Sequence, residues 1–371
     1  MQFIDLAAQQ KRIKKKIDKR IQDVLKHGQY ILGPEIKELE DKLAAYVGVK
    51  HAIACSSGTD ALLAALMAKN VLPGDTIFTT PFTFIATAET IGLLRASPCF
   101  IDIDKKTFNM DIEKLEHSVK VFHKYTPHSM KGIIAVDLFG APADYDAINA
   151  IAKKYNLFVI EDAAQSFGAE YNGKKACSLG DIGATSFFPA KPLGAYGDGG
   201  MIFTDDDELA IKLRSITVHG MGENRYDHDR IGLNARLDTM QAAILLAKFE
   251  IFPEEIELRQ EVAKRYNNLL EDVVEIPVVN DNVKSVWAQY SVLAKDFDQR
   301  NEFFEKLHNA KIPSAVYYSK PIHLQDAFPN LGYTLGDKPV TEEISQRIFS
   351  LPMHPYLKEE DQKRIADVLK A

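Results

Sequence analysis

Cysteine is scarce. The 371 residues hold three, Cys55, Cys99 and Cys177, with no C-x-x-C pair. An odd count without zinc-site spacing excludes a disulfide framework and fits a reducing compartment. No run of 18 apolar residues exists, so no helix is expected to span a membrane. Met1–Gln10 contains acid and glutamines and no signal-type apolar core. Low-complexity tracts and fixed-period repeats are missing. So is a basic excess: 45 Lys and Arg against 52 Asp and Glu give a net charge of −7. Nucleic-acid binding would need a local basic patch against that background. The one basic run, from Lys11 to Arg20, alternates with Ile13, Ile17 and Ile21 at helical spacing. It reads as the solvated face of an amphipathic helix. These absences point to a cytoplasmic protein with no nucleic-acid and no membrane partner.

What is present is a βα rhythm. Residues 13–26 and Glu35–Val47 have helical periodicity, with Gly48 as a C-cap. His51–Cys55, Thr76–Thr80, Pro98–Ile103, Gly132–Val136, Phe158–Ile160, Ala184–Phe188 and Gly200–Thr204 read as short buried strands. Asp60–Met67, Phe84–Leu94 and Tyr145–Tyr155 read as helices between them. This alternation predicts an α/β architecture, a mostly parallel sheet with helices on both faces. The rhythm fades near residue 245. Glu254–Val273 reads as one long charged helix, and mixed elements follow Pro277. The expected division is a large domain, 1–245, with an N-terminal helical segment, and a small α+β domain, 246–371.

Ligands in open α/β sheets bind outside the carboxyl ends of the strands. Ser56-Ser57-Gly58-Thr59-Asp60 follows the first strand and opens a helix. It offers free N–H groups to a phosphate, or simply a Ser N-cap. Glu161-Asp162-Ala163-Ala164-Gln165 ends another strand. An acid there either holds a protonated ring nitrogen or caps a helix. The third station is Ser186-Phe187-Phe188-Pro189-Ala190-Lys191, followed by Gly194, Gly197, Gly199 and Gly200. Apolar neighbours disfavour the Lys191 ammonium and lower its pKa. A neutral amine can attack an aldehyde to form a Schiff base. The bland alternative is a lysine snorkelling from an apolar loop.

These three motifs, in this order, resemble the DegT/DnrJ/EryC1/StrS family of pyridoxal-phosphate-dependent nucleotide-sugar aminotransferases over nearly the whole chain. The resemblance implies the aspartate-aminotransferase-like fold of the fold-type I transferases and pyridoxal 5'-phosphate as cofactor. Lys191 would carry the cofactor and shuttle protons, and Asp162 would pair with its pyridine nitrogen. Gln165 would sit by the ring hydroxyl and Phe84 would stack on the ring. Gly58, Thr59 and Ser186 would hold the phosphate. Asn234 would reach it from the partner subunit, so the resemblance also implies a homodimer with shared active sites. Arg236, Tyr317 and Tyr318 would meet the sugar nucleotide. Each histidine reads first as a hydrogen-bonded structural residue, and among them His323, close to Tyr318 in the chain, is the candidate for substrate contact.

The stretches 81–89, 231–239 and 250–255 are similar to those of UDP-2-acetamido-2-deoxy-3-oxo-D-glucuronate aminotransferases. They imply amino transfer from L-glutamate to C3 of that UDP-linked keto sugar, in cell-surface polysaccharide biosynthesis. Tyr317-Tyr318 stands where many relatives have His-Tyr. The alternatives are another keto-deoxy UDP- or TDP-sugar, aminated at C3 or C4, or a non-catalytic cofactor-binding regulator. No metal is implied.

Overall fold

The computed structural model describes residues 1–224 and 226–371. Its first element is the helix Leu6–His27, capped by Asp5 Oδ1, which accepts from Ala8 N at 2.9 Å, and ended by Gly28 at φ 71°. Ile13, Ile17 and Val24 are buried. The basic row is offset by acids: Lys14 meets Asp18 at 2.5 Å, Lys19 meets Asp23 at 2.6 Å and Lys16 meets Glu250 at 2.5 Å. That is the expected solvated face, and the helix packs its isoleucines against Ile244, Ala247 and Ile251. A second helix, Pro34–Val47, starts with proline at its first position and ends at Gly48.

The strands are β1 (His51–Cys55), β2 (Thr76–Thr79), β3 (Ser97–Phe100), β4 (Met130–Val136), β5 (Phe158–Asp162), the short pair β6 (Glu170–Tyr171) and β7 (Lys174–Lys175), β8 (Ile182–Ser186) and β9 (Gly200–Thr204). Seven form one sheet in the order β1-β9-β8-β5-β4-β2-β3. All its pairings are parallel except those of β9, which runs antiparallel to both β1 and β8. The sheet is buried on both faces, as its continuous apolar strands require. Ile53, Ile77, Ile134, Ile160, Ile182 and Ile202 face one helix layer, which includes the helix Gly58–Ala68. Their strand neighbours Phe78, Ile133, Ala135 and Val159 face the other, with Ile148 and Ile151 of the helix Tyr145–Tyr155.

The reversal of β9 positions the site. Its first residue, Gly200, pairs with both Cys55 and Ser186, the last residues of β1 and β8. The strand order therefore brings the turn after β1 and the end of β8 to one edge, with Asp162 at the end of β5 beside them.

Residues 262–369 supply a separate apolar cluster. It lies around the antiparallel pair β11 (Tyr290–Leu293) and β12 (Ile348–Leu351) and the helices Phe252–Leu270, Phe297–Asn309 and Glu359–Lys370. β10 (Val283–Lys284) instead pairs with β6. The helix Thr239–Phe249 runs through residues 245 and 246.

Candidate active site

The helix Gly58–Ala68 begins at the carboxyl edge of the sheet. Ser57 caps it, its Oγ accepting from Asp60 N at 3.0 Å. Gly58 is required by contact: a Cβ there would lie 2.7 Å from Ser186 Cβ. A Cβ on Gly200 would lie 2.4 Å from the Ser57 carbonyl carbon. Two glycines and a serine thus form a tight backbone cradle at a helix N-terminus, the geometry that receives a phosphate group.

Asp162 is buried beside it. Thr87 Oγ1 donates to its Oδ2 at 2.7 Å and Ala164 N to its Oδ1 at 3.3 Å. Among the described residues no side chain forms an ion pair with it. Burial raises its pKa, and the Thr87 hydroxyl, the Ala164 N–H and the charge of Lys191 oppose that rise. Burial lowers the pKa of Lys191, and Asp162 partly offsets the effect. The two are therefore electrostatic neighbours, and Lys191 is half-buried. A buried carboxylate with no ion-pair partner among the described residues, an amine beside it and a tight cradle at a helix N-terminus fit the ring nitrogen, the aldehyde and the phosphate of pyridoxal phosphate.

Phe84 is 56% exposed, in the turn after β2. The expected helix Phe84–Leu94 begins instead at Ala86, which leaves the ring free of the helix. Thr83 Oγ1 lies 3.1 Å from Thr87 Oγ1 and ties that turn to the Asp162 contact.

Gln165 is held at both ends. Its Oε1 accepts from Phe139 N at 2.7 Å and its Nε2 donates to Tyr318 OH at 3.0 Å. Tyr318 thereby joins the site, its ring edge-on to Phe82. Tyr317 is half-buried between Tyr318 and Phe3. Arg236 donates to Asn234 Oδ1 at 2.6 Å, while its Nε is buried with no partner. Their strip runs beside the cradle of the same chain, because Ser56 N donates to Ala235 O at 3.2 Å. Asn234 itself is exposed.

His323 is 3% exposed, and its Nε2 lies 2.9 Å from Glu342 Oε1, with its ring edge-on to Tyr333. The loop 320–326 turns it into the C-terminal packing, where Glu342 also accepts from Gly336 N and Lys338 N.

Sequence reading missed Thr87, Asp137 and Lys248. Asp137 ends the approach of β4 as Asp162 ends β5, so the same strand-end signal marks it. It is buried and accepts from Ser166 Oγ at 2.7 Å, Tyr145 OH at 2.9 Å and Ala143 N at 3.1 Å. Glu161 faces it and accepts from Cys177 N and Leu179 N. Burial pushes Asp137 up to about 7, and burial together with the Asp137 charge holds Glu161 well above the carboxylate range.

Residues 11–370 match the DegT/DnrJ/EryC1/StrS aminotransferase family. The chain belongs to that family. It is 53% identical over 358 residues to the UDP-2-acetamido-2-deoxy-3-oxo-D-glucuronate aminotransferase of Pseudomonas aeruginosa, covering 96% of each chain. A crystal structure of a family aminotransferase from Brucella abortus superposes with a TM-score of 0.96 at 49% identity, over 100% of this chain and 98% of that one. NtdA from Bacillus subtilis, solved with bound cofactor PMP, superposes with a TM-score of 0.87 at 29% identity, over 100% of this chain and 83% of that one. The architecture is accordingly the α/β fold expected of fold-type I transferases. No helix among the described residues is long and apolar enough to cross a membrane.

Proposed function

We propose that this chain is a pyridoxal-phosphate-dependent aminotransferase moving an amino group from L-glutamate to C3 of UDP-2-acetamido-2-deoxy-3-oxo-D-glucuronate. The observation that carries the cofactor reading is the meeting of Lys191, Asp162 and the Gly58–Ser186 cradle at one sheet edge. The cofactor supplies an aldehyde for the amine and a ring that accepts the electron pair released at the substrate carbon. Gly58, Thr59 and Ser186 would hold its phosphate, and Phe84 and Gln165 would hold its ring. Asp162 would pair with the ring nitrogen and keep it protonated. Lys191 Nζ, its ammonium form disfavoured by burial, takes up and returns the migrating proton.

The substrate reading is supported by the 53% identity to the Pseudomonas enzyme. The unpartnered Arg236 Nε adds to it, because a guanidinium with free donors suits a sugar carboxylate. Arg236, Tyr317 and Tyr318 are assigned to the sugar nucleotide on this reading. Exposed apolar side chains at Tyr30, Ile31, Leu32 and Ile231 support a homodimer in which Asn234 serves the partner's cofactor. The site of action is the cytoplasm, where sugar nucleotides for cell-surface polysaccharides are made.

Purified protein loaded with cofactor and L-glutamate should aminate the 3-keto uronate within a panel of 3-keto and 4-keto UDP- and TDP-sugars. Comparable activity on a 4-keto sugar, with none on the 3-keto uronate, would overturn the substrate. Cofactor binding without turnover on any panel member would favour the regulator.

A further inference from the structure

Lys248 lies in the last turn of the helix Thr239–Phe249 and is 1% exposed. Lysine is almost never fully buried unless it is paired. Here no carboxylate lies within ion-pair distance among the described residues. Nζ instead donates to the Gly194 carbonyl at 2.6 Å and sits 4.4 Å from the centre of the Tyr196 ring. Burial lowers its pKa to about 8, with the charge of Glu255 opposing, so the amine remains protonated at neutral pH. The bond to Gly194 is then charge-assisted.

Gly194 closes the turn that presents Lys191. Lys191 N donates to Phe188 O at 2.8 Å, and Ala195 N to Phe187 O at 2.7 Å. A Cβ on Gly194 would lie 2.4 Å from Pro189 O, so the turn folds tightly onto its own start. Tyr196 N, just beyond it, donates to Gln241 Oε1 at 2.9 Å. One helix therefore grips the exit of the turn at two points, with Lys248 on Gly194 and Gln241 on Tyr196. An apolar residue at 248 would fill the space but leave the Gly194 carbonyl buried and unpaired.

We propose that Lys248 is a positioning residue for Lys191: it holds the Gly194 carbonyl and thereby fixes the turn from Pro189 to Gly194 that aims the Lys191 amine. This deepens the aminotransferase reading and rests on Lys191 being the point of cofactor attachment. The contribution is geometric, since a misplacement of about 1 Å at the reacting group costs up to about a hundredfold in rate.

The test compares cofactor-loaded wild type with Lys248→Met and Lys248→Gln. Three quantities are read: kcat, KM for the UDP-sugar, and circular dichroism of the bound-cofactor absorption band. Lys248→Met should lose about tenfold in kcat, with KM unchanged within about twofold and the dichroic band at least halved. Lys248→Gln, which restores an N–H donor, should recover part of both losses. A Lys248→Met protein with wild-type kcat and band would overturn the proposal, whatever its melting temperature. Should Lys248→Met not fold, Gln241→Leu decides, because it frees the other side of the same turn. The same losses support the proposal and wild-type values overturn it. Failure of the aminotransferase reading is visible separately, as a wild-type protein with no lysine-bound cofactor band, and it would overturn both.

Discussion

Thr87 Oγ1 donates to Asp162 Oδ2 at 2.7 Å, joining the helix Ala86–Leu93 to the end of β5. The hydroxyl opposes the rise in pKa that burial imposes on the carboxyl. Removing it with Thr87→Val keeps the shape and deletes the donor. A hydrogen bond to a charged group is worth about 1.5–3 kcal/mol, so cofactor affinity should fall about tenfold to a hundredfold. The function needs the Asp162 anion, so activity declines as pH falls through its raised pKa. The variant raises that value further and should shift the acid limb of kcat/KM to higher pH. An unmoved limb with wild-type cofactor affinity would separate Thr87 from the chemistry.

Gly58 tests the cradle. Its backbone is ordinary for a helix start, so alanine meets no conformational penalty. The contact decides, since the new Cβ would sit 2.7 Å from Ser186 Cβ. Overpacking of this kind costs about 1–3 kcal/mol. Gly58→Ala should weaken cofactor binding at least about tenfold, measured by fluorescence titration of the apoprotein. Wild-type affinity would show that the phosphate lies elsewhere.

The Asp137–Glu161 pair predicts a pH dependence of stability. Burial raises both carboxyls above their unfolded values, Asp137 to about 7. The native state therefore binds more protons than the unfolded chain between about pH 4 and 7. The stability these groups contribute is fully present below the unfolded pKa and is lost as pH rises through the folded one. Asp137→Asn keeps the acceptor for Ala143 and Tyr145 and cannot ionise. Its denaturation free energy should fall less steeply between pH 5 and 7, by up to about 1.4 kcal/mol per pH unit. Parallel wild-type and variant curves would contradict the assignment.

His323 is expected to matter for stability and not for substrate. Its buried contact with Glu342 lies within the C-terminal packing. His323→Ala should cost about 1–3 kcal/mol in urea denaturation while leaving kcat/KM within about twofold. A tenfold rise in KM for the UDP-sugar at unchanged stability would return His323 to the site.

Much of this site was legible because its signals are local. Strand ends followed by Gly, Ser or an acid mark the sheet edge, and Asp162, Gly58 and Ser186 carry those signals. Strand positions were equally local, with β1 and β9 read at their observed limits. The helices Ile112–Tyr125, Asp207–Ile216 and Glu359–Lys370 went unread, although Asp111 and Asp206 supply ordinary caps for two of them. The boundary expected at 245/246 falls inside the helix Thr239–Phe249, whose Ala/Leu composition gives no break there. What stayed hidden depends on packing between distant segments. The contact of His323 with Glu342 and that of Lys248 with the Gly194 carbonyl join segments that lie apart in the sequence. The reversed β9 is a further case, since the strand pattern does not encode its direction.

The central claim is that Lys191 is the amine that carries the cofactor. Borohydride reduction of the cofactor-loaded protein, followed by peptide mass mapping, tests it directly. The account predicts one modified peptide, with the adduct on Lys191, and none in a Lys191→Ala variant. An adduct on another lysine, or a loaded protein that cannot be trapped at all, would contradict it.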